Sequence, residues 1–401
     1  MSARKRGLGK TPAKPPKVDS PSESDSVNEV TEEVSTKTPV GVMGRACSCF
    51  KYLLLLVIMP PILNYAALQR EATELKPSDG ELYDVGWGRK MFLMCQGKGP
   101  PTVILDAPTG MTSDVWSLVW QKISPHAKVC AYDRAGLGFS DRPSDPKSSP
   151  SHTEMDSQGD SRWQPFTAES MVDDLHRLVT ISSQQPRPLI LVGAELGALV
   201  AQFYTTLYDS DVLGLVLVNP LPENLFTQDG QIWTQYWFGQ LIPTFQSLQL
   251  GAALGVTRVG LLLGLLKQPL VATDIDPMVV NRQKYLLCHP KHLSSVVDEH
   301  HFINETFSQM RTVRQMRSLP TNISVTVLTG NYYDEQLPSG LNKAWAKAEQ
   351  DLISRVFPLA QQIVVNAADR RMPYTAPEGV AEQVLKLVRH WKSKQAPVRS
   401  H

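Results

Sequence analysis

Residues 189–198, Leu-Ile-Leu-Val-Gly-Ala-Glu-Leu-Gly-Ala, place an acid between an apolar strand and the first turn of a helix. Gly193 and Gly197 flank Glu195 at two residues on either side, and small residues there let the backbone fold tightly around one displayed side chain. A carboxylate held out this way has two chemical uses. It can attack carbon and form an ester that an activated water opens, which requires a general base of near-neutral pKa. Otherwise it is a partly buried charge, which is costly without a partner. A cation is available late in the chain, in Asp369-Arg370-Arg371. Arginine stays protonated at physiological pH, so Arg370 can neutralise Glu195 but cannot serve as its base.

Five further segments fall into register with this turn. Val103-Ile104-Leu105-Asp106-Ala107-Pro108-Thr109-Gly110 reads as a strand and loop, and Val129-Cys130-Ala131-Tyr132-Asp133-Arg134-Ala135-Gly136-Leu137-Gly138-Phe139-Ser140-Asp141 as another. Apolar runs at 323–330 and 362–368 have strand length. The stretch 377–391 sets Val380, Val384, Leu387, Val388 and Trp391 on one helical face. In this order the segments resemble the α/β-hydrolase fold over about residues 80–395, with Asp133–Ser140 similar to the family's D-x-R-G-x-G-x-S segment and the nucleophile elbow at Glu195. The implied architecture is a central, mostly parallel sheet with a helical cap, preceded here by an N-terminal membrane anchor.

The resemblance implies where a serine hydrolase would keep its parts. The nucleophile position holds Glu195 instead of serine, and the histidine position after the last strand holds Arg370. The next histidine, His390, lies inside the terminal helix. Asp334 occupies the acid position but has no histidine to orient. Of the two oxyanion donors, one is the amide of Leu196; the other falls on Pro108, which has no N–H. Losing one such donor typically costs about a hundred- to a thousand-fold in rate. The expected outcome is a Glu195–Arg370 salt bridge with an approach of about 4 Å or less. Asp369 or Arg371 takes that place if the loop register is off by one.

Other polar clusters read as structural. Asp133, Arg134, Ser140 and Asp141 are expected to brace their loop. His300-His301, preceded by Asp298 and Glu299, is expected on a solvated helix face. No ligand spacing implies a metal, and no cofactor is expected.

The 401 residues carry 40 Lys and Arg against 39 Asp and Glu, a balance that gives no basis for nucleic-acid binding. Residues 1–45, basic to Lys17 and then acidic to Glu33 with Ser and Pro between, are expected to be a disordered tail. Residues 52–68 lack charge over 17 positions, near the lower limit for a span. Arg45 and Lys51 precede it, so the positive-inside rule implies a single pass with a cytosolic N-terminus. The compartment would be the endoplasmic reticulum, another endomembrane or the plasma membrane. Pro60-Pro61 keeps a monotopic or hairpin insertion open as the alternative. Sequons at Asn304 and Asn322 agree with a lumenal domain, Asn322 being the poorer acceptor because it adjoins a strand. Cys47 and Cys49 are placed for acylation, and Cys95, Cys130 and Cys288 give no readable disulfide framework.

The globular part divides into a first core half, 80–221, with a polar insertion at 143–165, a helical cap at 222–318, and a second core half at 319–395. The functional expectation is a membrane-anchored protein without serine-hydrolase catalysis. It would bind or scaffold an apolar ligand or a protein partner. The alternative is an active hydrolase using Glu195 as nucleophile or acid/base on ester, epoxide or lipid-like substrates.

Overall fold

A computed structural model describes residues 42–86, 88–143, 165–182, 185–227, 229–272 and 274–395. The expected tail, except for residues 42–45, and nearly all of the polar insertion lie outside the described residues. So do the side chains of Cys47 and Cys49. The described chain divides between Leu53 and Leu54.

Helix α1 (Val42–Glu74) continues through Pro60 and Pro61. Its stretch Phe50–Glu74 is long and apolar enough, by length and composition, to cross a membrane. The sheet follows. Strands β1 (Gly80–Asp84) and β2 (Lys90–Gln96) form an antiparallel pair, then come β3 (Thr102–Asp106), α2 (Ser117–Ile123), β4 (Lys128–Tyr132) and α3 (Ala168–Ile181). Next are β5 (Leu189–Ala194), α4 (Leu196–Leu207) and β6 (Val212–Val218). Helices α5 (Ile232–Tyr236), α6 (Ile242–Ala253), α7 (Val256–Leu262), α8 (Pro277–Leu287), α9 (Pro290–His301) and α10 (Ile303–Met316) separate β6 from β7 (Ser324–Gly330). The chain closes with α11 (Ser339–Val356), β8 (Gln361–Val365), α12 (Met372–Thr375) and α13 (Pro377–Gln395).

The eight strands run in the order β1-β2-β4-β3-β5-β6-β7-β8, parallel from β4 onward. Strand β5 sits inside this sheet and is buried along its whole length, which is why it reads as a continuous apolar run instead of an alternating one. Alternation still sorts its side chains. Leu189 and Leu191 pack with Leu175, Leu178, Leu199 and Phe203 of α3 and α4. Ile190 and Val192 pack with Val119 and Ile123 of α2 and Val384 and Val388 of α13. Each fully buried aliphatic side chain stabilises the fold by about 1.5–3 kcal/mol, so these two layers hold the C-terminal ends of the strands in fixed positions.

Two features depart from the sequence expectations. Cys95 and Cys130 are bonded across the β2–β4 pair, where they stand opposite each other in the register. Their strands are separated in sequence by β3, so spacing alone cannot reveal the pairing. Asn322 lies exposed in the turn before β7, whereas Asn304 is in the first turn of α10 and the Thr306 of its sequon is buried. Asn322 is therefore the better-presented sequon, opposite to the order read from sequence.

Candidate functional site

Glu195 occupies the bend between β5 and α4 with φ 48° and ψ −109°, a strained conformation for a residue with a side chain. The flanking glycines make the bend possible. A Cβ on Gly193 would lie 2.1 Å from the Gly197 carbonyl oxygen, and one on Gly197 would lie 2.6 Å from that of Asp106. The Glu195 amide donates to Val218 O at 3.1 Å, tying the bend to β6. Leu196 begins α4 and is fully buried.

The loop after β8 carries Arg370 to this bend. Its Nη2 donates to Glu195 Oε1 at 2.9 Å, and the side chains are only 19% and 12% exposed. The two positions that the fold brings together thus hold opposite charges. Arg371 turns away and pairs with Asp369. The Arg370 guanidinium also stacks on indoles, 4.0 Å from the Trp345 ring centre and 5.3 Å from that of Trp233. Cation–π contacts of this kind reach about 2 kcal/mol when desolvated. Its Nε has no hydrogen-bond partner.

A second acid lies on α11. Burial pushes the Glu349 carboxyl up to about 7, with the positive charge of Arg370 acting in the opposite direction. Sequence reasoning missed Glu349, Trp233 and Trp345. The available signal was an acid on the apolar face of α11, one turn after Trp345 and three residues before Leu352.

Glu195, Arg370, Asp334 and Pro108 all line one cavity of about 650 Å³, walled largely by cap residues such as Trp233, Trp237, Phe245 and Val296. The chain makes an irregular, wider helical turn at Trp237–Leu241 that feeds two of its side chains into this wall. Asp334 is held by its own loop: its amide donates to Asn342 Oδ1 at 2.9 Å, and its Oδ1 accepts from the Gln336 amide at 2.9 Å.

His300 corrects the expectation of a solvated face. It is buried and lines the same cavity, while His301 beside it is exposed. Its Nδ1 lies 2.7 Å from Val296 O, an acceptor only, so the proton sits on Nδ1 and the lone pair on Nε2. Burial, partly opposed by that hydrogen bond, lowers its pKa. The ring packs against Trp237 and Phe245 at 5.0 and 4.7 Å between centres. The missed signal is helical spacing, since His300 follows Leu293 and Val296 on one face of α9.

Arg134, expected to brace its loop, does so as part of a larger buried network. It bonds Asp106 Oδ1 at 2.6 Å, Glu299 Oε1 at 2.7 Å and the carbonyls of Ala107 and Pro108 at 2.7 Å. Burial works against its charge, but Glu299 and Asp106 outweigh that and hold the proton more firmly. Asp133 accepts from the Ser113 and Phe139 amides, Ser140 donates to Asp133 O, and Asp141 accepts from the Lys90 amide. Among the described residues no cluster of His, Cys, Asp and Glu has the arrangement of a metal site.

Comparison with known proteins fits this geometry. A family model for the alpha/beta hydrolase fold matches residues 103–284. Cfl2 from Burkholderia cenocepacia superposes with a TM-score of 0.54 at 16% identity, over 77% of this chain and 95% of that one. The epoxide hydrolase CorEH superposes at 0.55 and 17% identity, over 78% and 99%. In sequence, 171 residues (41% of this chain) are 26% identical to the "Probable transporter efuK" of Hormonema carpetanum, covering 22% of it. A 125-residue stretch (31% of this chain) is 26% identical to YqjL of Bacillus subtilis (strain 168), covering 42%. The chain spans less than half the length of the curated relatives it matches. The fold is the α/β-hydrolase fold, with a mostly parallel central sheet.

Proposed function

We propose that this chain is a membrane-anchored α/β-hydrolase-fold protein without serine-hydrolase catalysis, which binds an apolar ligand in the cavity beneath its cap. The observation that carries this reading is the 2.9 Å contact between Glu195 and Arg370, with the guanidinium stacked on Trp345 and Trp233. A carboxylate paired with a permanent cation is a poor nucleophile, because attack would strip the cation of its counter-charge in a partly desolvated site. The cavity is walled mainly by aromatic and aliphatic side chains with a few convergent polar groups, which suits an apolar ligand with one polar end. A protein partner at the surface is the other use consistent with a silent site.

In this reading the chain consists of a tail (1–45), an anchor (52–68), core halves at 80–221 and 319–395, and a cap at 222–318. The anchor rests on one apolar helix. A lumenal domain with a cytosolic N-terminus, in the endoplasmic reticulum or a compartment continuous with it, is supported by the Cys95–Cys130 bond, since disulfides persist in oxidising compartments. Glycosylation would then fall on Asn322 before Asn304.

His300 favours a second reading, an active hydrolase on ester, epoxide or lipid-like substrates. Glu195 would attack an electrophilic carbon and form an ester, breaking the carbon–oxygen bond of the leaving group, whose oxygen keeps the electron pair and takes a proton from water. His300 Nε2 would take a proton from water as that water adds to the ester carbonyl, then return it to the alcohol oxygen as the carbonyl re-forms and the ester carbon–oxygen bond breaks, releasing product and restoring the carboxylate. Incubation of wild type, Glu195→Gln and His300→Gln with ester, epoxide and haloalkane panels decides between them. The binding reading expects no turnover above background from any of the three. Turnover by wild type that both substitutions abolish would replace it with the hydrolase reading.

A further inference from the structure

The cap carries a run of exposed large apolar side chains. Leu250, Leu254, Val259, Leu262, Leu263 and Leu265 are between 43% and 81% exposed. They lie on α6, the turn after it, α7 and the tip that follows. Soluble monomers seldom leave so many large apolar side chains together in water.

What covers them is indicated by what α6 and α7 grip. Asn64 of α1 donates to the carbonyls of Ala252 and Cys288 at 2.9 and 3.0 Å, and Arg258 Nε donates to Asn64 Oδ1 at 2.8 Å. The Arg258 guanidinium forks onto both oxygens of Glu71 at 2.7 Å. At the turn between α6 and α7, a Cβ on Gly255 would lie 2.3 Å from Pro60 O, so the two backbones touch there. Pro60 and Glu71 are separated by about 16 Å along a helix axis. The α6–α7 turn therefore lies alongside the apolar turns of α1, and α7 runs from there toward the charged end of that helix, where Leu261 packs against the cluster of Leu68, Tyr285 and Leu286 and shares a hollow with Glu71, Glu74 and Leu75. Residues 54–59 of α1 are themselves exposed and apolar.

The cavity opens next to this tip. Lys267, Pro269 and Val271 are exposed and also line the cavity that holds Glu195, two to six residues after Leu265. We propose that the α6–α7 face is inserted in a lipid bilayer beside α1, and that the cavity takes its occupant, a bilayer lipid, sideways through the Lys267–Val271 opening. Such a ligand would slide its chain into the aromatic pocket without crossing water, with Lys267 at the depth of the headgroups. This inference rests on the membrane-anchor reading above, and the test separates the two.

Full-length protein is reconstituted in phosphatidylcholine vesicles with benzoylphenylalanine placed at Leu56, Leu263 or Leu359. The last position is 89% exposed, in the turn between α11 and β8. After illumination, lipid adducts are expected at positions 56 and 263 at least about fivefold above position 359, as for side chains sitting among acyl chains. Adducts at 56 with position 263 no higher than 359 overturn the proposal and leave the anchor standing. Absence of adducts at 56 overturns both. Adducts from 263 to a second copy of the chain, in place of lipid, overturn the proposal in favour of self-association.

Entry is tested with a phosphatidylcholine carrying a diazirine near its acyl-chain end. Labelling of the peptide containing Phe245 and Leu248 is expected to fall at least about fivefold in the L262D/L263D/L265D variant, while labelling of α1 persists. The substituted side chains are exposed, and an unchanged thermal transition in detergent verifies folding. Undiminished cavity labelling would overturn the lateral route.

Discussion

Two arginine–carboxylate centres lie beyond strand ends of the one sheet, Arg134 after β4 and Glu195 after β5 with β3 between them, and they are built differently. Arg134 contacts two carboxylates and two carbonyls, and all of its nitrogens have partners. It pins the β3 loop to Glu299 on α9, and Glu299 in turn accepts from the Gly110 amide at 2.7 Å. Arg370 has one carboxylate, two indoles and a nitrogen without a partner, and it faces a cavity. The first arrangement is a strut that fixes the cap on the core. The second is a charge pair with unused capacity, able to accept a further polar group from a bound molecule.

The comparison can be broken by unfolding measurements in detergent, taken in order of expected size. Arg134→Met should destabilise by about 3–5 kcal/mol, because Asp106 and Glu299 would be left buried and unpaired; a loss under about 1 kcal/mol would remove the distinction between strut and pair. The next effect depends on pH. The Glu349 carboxyl is raised to about 7 in the folded protein, above its unfolded value near 4.5. Its contribution is therefore fully present below pH 4.5 and is lost as pH rises through 7. The stability lost across that window should be smaller in Glu349→Gln by up to about 3 kcal/mol, and an identical profile would place Glu349 in contact with water.

A smaller effect is expected at the elbow. The Glu195→Ser/Arg370→His double variant should be less destabilised than the sum of the two single changes, with a coupling of about 1–2 kcal/mol. Additive costs would mean that the pair is not in contact in solution. Trp345→Phe, which keeps an aromatic ring in the core, should be the mildest, about 1 kcal/mol from the weaker stacking on Arg370. A larger cost there would show that the indole supports α11 more than the cation.

The bend at Glu195 is legible in the sequence because it depends on local chemistry: two glycines two residues to either side, an apolar strand before and a helix after. Arg370 is legible through the spacing from the last strand to Pro377. The parts that escape a linear reading are those made by distant chain. His300-His301 beside two acids looks polar in isolation; what buries His300 is Trp237 and Phe245, 63 and 55 residues upstream. Glu349 is hidden in the same way, since the charge that faces it lies beyond β8. The Cys95–Cys130 bond follows from β4 inserting between β2 and β3, an exchange of strand order that no local pattern encodes.

The Asn64 clasp has a consequence for orientation. A helix held only by greasy side chains can spin about its long axis, and a domain hung from it would face every compass direction. Here one amide spends its carbonyl oxygen on Arg258 and its NH2 group on two carbonyls from separate helices. Turning α1 by a single residue, about 100°, would tear all three bonds at once. Residues 54–74 of the helix and the body they carry therefore share one fixed azimuth, and the cap presents the same flank to them at all times.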